Sequence, residues 1–263
     1  MKKLIIASTL LASSVASADV IEFDFGEVNL DAELINSGSM SYSAPVTTFD
    51  GTSLYAQIVA LTSYSNGGSN YSGSVEGDIR INQKRNTTTT YAFTLYEDAG
   101  FTNAFSSTLD YSFDLFFYDI DGHDTYGDLY YDEVTVYTPA VVEYTTTTAL
   151  TITENDDGSI TASGKGTDGV PGQTGLETFN QAQADVAASF TFTNTSTVIF
   201  DYTIVNSWSK GNRNLVIDAN DLTFDGFDTA STSVNVATVS EPGVAGLMLM
   251  GLGLLAYRRR KAA

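Results

Sequence analysis

Residues 109–118, "LDYSFDLFFY", decide the fold class. Leu109, Tyr111, Phe113, Leu115 and Phe117 alternate with Asp110, Ser112, Asp114, Phe116 and Tyr118. A period of two, carried by aromatic and aliphatic side chains, belongs to a strand with one face in a core. The pattern returns with Tyr130, Asp132, Val134 and Val136 in one phase and Tyr131, Glu133, Thr135 and Tyr137 in the other. It returns again in Val186, Ala188, Phe190 and Phe192, and in Val198, Phe200, Tyr202 and Ile204. Shorter strands are expected at 20–25, 54–62, 74–81, 91–96, 141–153, 159–162, 215–217 and 234–239.

Between these runs fall turn clusters such as Asn66-Gly67-Gly68, Asp121-Gly122 and Lys210-Gly211-Asn212. The clearest hairpin is "TITENDDGSITASG" at 151–164. Only Leu176, Phe179, Gln183 and Val186 suggest a short helix. Many short strands without a βαβ rhythm predict an all-β chain: a single antiparallel β-sandwich, jelly-roll-like. Residues 164–175 read as a loop within that one domain, and the threonine runs 87–90 and 145–148 as exposed strand edges or, in the second place, as sugar-modified segments.

The two ends read differently. Residues 1–18 carry Lys2 and Lys3, an apolar run and the small-residue ending Ala16-Ser17-Ala18. This is the pattern of a secretory signal peptide cut after Ala18. At the other end, 239–263 reads "VSEPGVAGLMLMGLGLLAYRRRKAA". Its apolar run, 244–257, is about 14 residues, roughly 21 Å as a helix at ~1.5 Å per residue, shorter than the ~20 residues of a comfortable span. Arg258, Arg259, Arg260 and Lys261 hold that end in the cytoplasm.

This tail resembles a PEP-CTERM sorting signal, which has a Pro-Glu-Pro motif, a short Leu- and Gly-rich transmembrane helix and a terminal arginine cluster. Glu241 and Pro242 match the second and third motif positions, and Ser240 stands at the first. The resemblance implies a bacterial exported protein, anchored transiently in the inner membrane and processed by an exosortase-type enzyme. It also implies association with exopolysaccharide or the outer cell surface. The domains expected are 1–18 signal peptide, 19–238 β-sandwich and 239–263 sorting signal.

All 32 acidic residues lie between Asp19 and Glu241, against six basic ones, a formal charge of −26. Such a field repels nucleic acid and anionic membranes and favours cations and neutral or basic partners. There is no cysteine, so no disulfide braces the exported domain, and its stability must come from a core. The one histidine, His123, and the absence of a Gly-x-Ser-x-Gly elbow argue against a Ser-His-Asp hydrolase.

Carboxylates remain. Asp119, Asp121, Asp124 and Asp128 crowd the segment "DIDGHDTYGD", and hard oxygen ligands at that density suit Ca2+. The spacing departs from an EF-hand, with Asp124 at the sixth position and Tyr130 at the twelfth. A solvated acidic connection between core strands fits the same residues. Trp208, the only tryptophan, either stacks on a sugar ring or closes the core. The chain is read as a non-enzymatic structural or adhesive surface protein. The alternatives are a Ca2+-dependent carbohydrate-binding module and a polysaccharide-acting hydrolase.

Overall fold

The computed structural model describes residues 18–23, 25, 39–65, 73–75, 77–125, 128–167, 169, 178–206, 212–218 and 222–234. For 39–44, 73–75, 123–125, 128–129, 206, 212 and 234 it describes the backbone alone. Strand periodicity becomes two mostly antiparallel eight-stranded sheets. Sheet I runs β16 (Thr229–Val234), β10 (Ala140–Thr145), β13 (Ala188–Thr193), β7 (Tyr111–Tyr118), β15 (Asn212–Asp218), β5 (Asp78–Lys84), β4 (Gly73–Val75). Sheet II runs β11 (Thr151–Glu154), β12 (Ile160–Ser163), β9 (Asp128–Val136), β14 (Thr197–Asn206), β6 (Thr87–Tyr96), β3 (Thr52–Ala60), β2 (Ser39–Phe49), with β8 (Gly122–Thr125) beside β9. In sheet I, β1 (Asp19–Val20) lies parallel to the first residues of β7, while β15 pairs antiparallel with its last three.

One apolar cluster draws on both sheets. Phe113 and Phe117 of β7 meet Phe93 of β6 and Phe200 of β14 at centroid separations of 6.1 and 5.1 Å, the spacing at which tilted and edge-on aromatic pairs are favourable. The inward sets Tyr111, Phe113, Leu115, Phe117 and Val198, Phe200, Tyr202, Ile204 are buried, in the phase the sequence indicates. The segment after β1 contributes Ile21, Phe23 and Phe25, with the Phe23 ring 5.5 Å from Phe113 and 5.9 Å from Phe93.

Several expectations are corrected. Leu109 lies before β7 and is 46% exposed, whereas Phe116 and Tyr118 on the opposite face are buried. They belong to a second cluster, with Val216, Leu222 and Phe224, which covers the end of the strand that a half-buried sheet would leave wet. The expected strand 141–153 is two strands in different sheets, β10 and β11, and 74–81 is the hairpin β4–β5 turning at Gly77. Of the described residues in 20–25, only Val20 is in a strand. Thr87–Thr90 open β6: they pair with β14 on one side, and on the other they run past the end of β3, which pairs only with 91–96. The long strand β2 had no sequence expectation.

The hairpin at 151–164 forms as expected, Thr151 opposite Ser163 and Glu154 opposite Ile160. The helix is one turn, α1 (Gln181–Ala184), held by a capping box between Asn180 and Gln183; Phe179 and Val186 flank it. Among the described residues no helix is long and apolar enough to cross a membrane. The signal residues 1–17, residues 168 and 170–175 of the expected loop, Trp208 and the tail 239–263 with its apolar run lie outside the described residues.

Candidate functional site

The acidic stretch is not a free loop. Asp119 leaves β7 with a positive φ of 64°, and the chain crosses from sheet I to sheet II, where β8 and β9 form a hairpin with His123 opposite Tyr130 and Asp124 opposite Leu129. The crossing is pinned by backbone contacts. Asp132 N–H donates to Asp121 O at 3.0 Å and Gly164 N–H donates to Asp132 O at 2.9 Å. Gly122 N–H donates to Thr167 Oγ1 at 2.6 Å. Two glycines make the approach possible: a Cβ on Gly122 would stand 2.4 Å from Gly164 O, and one on Gly164 would stand 2.6 Å from the Asp121 carbonyl carbon.

This crossing carries Asp121 into the end of the core, where it meets Arg213. Arg213 projects inward because it is in phase with Leu215 and Ile217 on β15; Asp132 does so because it is in phase with Val134 and Val136 on β9. The Arg213 guanidinium pairs with Asp121 Oδ1 and, through Nε at 2.8 Å, with Asp132 Oδ2. Its flat face lies 5.1 Å from the Tyr130 ring centroid, a cation–π contact. Asp121 and Asp132 are buried, while Arg213 keeps 19% of its side-chain surface. Behind them Gln83 bridges the sheets, donating to Tyr202 O at 2.9 Å and accepting from Tyr91 Oη at 2.9 Å.

The charges do not balance within the cluster. Burial pushes the Asp119 carboxyl up to about 7, against the opposing pull of Arg213 and then Arg80, although part of its surface reaches solvent. Complete burial, and then the Asp119 charge, push Asp132 well above the usual carboxylate range. Its 2.8 Å contact with Arg213 Nε acts in the other direction. Three carboxylates face two guanidinium groups. Because the Asp119 charge acts on Asp132, the two carboxyls titrate as an interacting pair.

Of the four residues read as Ca2+ ligands, Asp121 is thus turned onto an arginine and Asp119 sits at the rim of the same cluster. Asp124 and Asp128 fall in β8 and β9, and their side chains lie outside the described residues. Among the described residues no group of three or more His, Asp or Glu side chains is arranged to hold a metal ion. Sequence reasoning missed Arg213, Gln83 and Tyr202. The available signal was a charged residue falling in the buried phase of a strand, twice, with opposite signs.

The processing residues are reached by comparison rather than by geometry. Residues 238–261 match the PEP-CTERM protein-sorting motif, which includes Glu241, Pro242, Arg258, Arg259 and Arg260. The motif is one of exported proteins sorted to the cell surface by an exosortase. No curated protein and no solved structure matches the chain.

Proposed function

We propose that the chain is a non-catalytic surface or extracellular-matrix protein, held in exopolysaccharide after both its ends have been removed. Residues 1–18 direct export and are cut after Ala18. The apolar run 244–257 then anchors the chain in the inner membrane until an exosortase cuts near Glu241-Pro242. The product, 19–238, is one jelly-roll-like β-sandwich with a structural or adhesive role. The match at 238–261 is the observation that carries this reading. Two features support it further. Strand β1 begins at Asp19, directly after the expected cleavage point, and β16 ends at Val234, three residues before the motif, so both cuts spare the sheets. The inward-turned Asp121 and Asp132 are also engaged by Arg213 within the fold rather than offered to a solvent ligand.

Mass spectrometry of the protein recovered from its cells tests the processing: the expected product begins at Asp19 and ends near residue 241. Recovery of chains still carrying Lys261 overturns the tail cleavage. Co-sedimentation with exopolysaccharide extracted from the same cells tests the association. Binding that a chelator abolishes would favour instead a Ca2+-dependent carbohydrate-binding module using Asp119, Asp121, Asp124 and Asp128. Release of reducing ends from that polysaccharide would favour a hydrolase.

A further inference from the structure

Two rungs on the outward face of sheet II are built mostly of hydroxyl side chains. Across β11, β12, β9, β14 and β6 the register aligns Thr153, Thr161, Thr135, Asp201 and Thr90 in one rung. The next rung holds Thr151, Glu133, Thr203 and Thr88, with Ser163 buried among them. Neighbouring strands lie ~4.8 Å apart, so each rung is a row of hydrogen-bonding groups at that spacing. Cross-strand pairs fix several of them: Thr135 and Thr161 Oγ1 are 2.8 Å apart, and Thr88 and Thr203 Oγ1 2.9 Å. The hydroxyls are therefore ordered before any partner arrives, which lowers the entropy lost on binding.

The face is also poor in charge. Between Asp19 and Glu241 the chain carries 32 acids against six bases, yet these two rungs hold only Asp201 and Glu133. Asp201 accepts a hydrogen bond from Tyr137 Oη at 2.7 Å. Glu133 borders a groove of about 320 Å³ that it shares with Lys165, Asn155 and the threonines of β11 and β12. The Lys165 Nζ stands 6.0 Å from the centroid of Tyr131, whose partly exposed ring lies on the same face. A groove of this size with hydroxyls, one amide, one balanced charge pair and an aromatic ring beside it has the make-up of a small polar-ligand site.

We propose that this face binds a single chain of an uncharged polysaccharide, the groove seating a short stretch of sugars and the rungs continuing the contact across the strands. The inference rests on the matrix association proposed above and names its surface and its ligand class. An anionic polymer is repelled by the surrounding field, and a cationic one is drawn to the acid-rich remainder instead. Only a neutral chain finds its best complement here. Successive strands rotate by roughly 20–25°, so five strands make a twisted surface that fits one flexible chain and not the flat face of a crystalline polymer.

Affinity electrophoresis of the exported protein, in gels cast with soluble starch, hydroxyethylcellulose or alginate, tests this. Retardation is expected with a neutral glucan and not with alginate. Replacing the hydroxyls by methyls in Thr135→Val/Thr153→Val/Thr161→Val should weaken retention at least about tenfold, since several hydrogen bonds are lost together. The matching Thr→Ser triple keeps it. A melting curve reports whether the valine triple is folded, and Tyr131→Ala gives an independent loss. Retention of the valine triple and of Tyr131→Ala equal to wild type, or equal retention by alginate, overturns the proposal. If no neutral glucan retards the protein while exopolysaccharide from its own cells still co-sediments with it, this surface is wrong and matrix association stands. If neither binds, both fall.

Discussion

Arg213 holds the polar end of the core together, because it is the cation against which two buried carboxylates are set. Removing one partner of a buried pair leaves an uncompensated charge and costs about 3–5 kcal/mol. Arg213→Met is therefore expected to lower the denaturant midpoint markedly at pH 7, and Asp121→Asn/Asp132→Asn added to it should restore most of the loss. A midpoint unmoved by Arg213→Met would mean that the cluster is solvated. The surplus carboxyl gives a second test. The folded pKa of Asp119 is raised from 3.8 to about 7, so the native state binds more protons than the unfolded chain between those values. Its contribution to stability is complete below pH 3.8, declines as pH rises and is gone above about 7. Relative to Asp119→Asn, the wild type should lose stability across that window. Parallel melting temperatures of the two proteins from pH 4 to 8 would refute the charge count.

At the scale of elements, β7 shows what alternation conveys and what it omits. Phe113→Ala removes a buried ring packed against those of Phe23, Phe93 and Phe192 and should cost about 3–5 kcal/mol. Leu109→Ala, outside the strand and exposed, should stay within about 0.5 kcal/mol. Phe116→Ala should behave as a core truncation, although a strand half-open to water would make it mild. Equal thermal unfolding of the Leu109 and Phe116 variants would show that the second cluster adds nothing. The crossing after β7 is sensitive too. In Gly164→Ala the new methyl meets the Asp121 backbone, and a backbone contact cannot rotate away. Lowered stability together with weakened protection of the Asp132 amide against hydrogen exchange is the expected result.

On the scale of the molecule, both termini of the sandwich lie next to the proposed processing points. Ile21, Phe23 and Phe25 fill space between the sheets, so a chain beginning at residue 26 should lose much of its core. Limited proteolysis would report this as rapid degradation beside a resistant chain beginning at Asp19. Removing 239–263 should leave the melting temperature of the body unchanged, because β16 ends at Val234 and its pairing to β10 is complete by then. A body destabilised by that deletion would place the tail inside the fold.

The sequence by itself determined the strand character, the buried phase of β7, β9, β13 and β14, the hairpin at 151–164 and the sorting tail. Each of these is written in neighbouring residues or in a short contiguous pattern. The tertiary structure alone decided that β10 and β11 part into different sheets, that both faces of β7 are covered at one end, and that Asp121 finds an arginine 92 residues away. Period-two alternation is local. It says that a side chain faces one side of a sheet, while the strand beside it and the layer above it are set by non-local pairing. For the same reason a run of aspartates reads alike whether it awaits a cation from solvent or closes on a guanidinium brought by another strand.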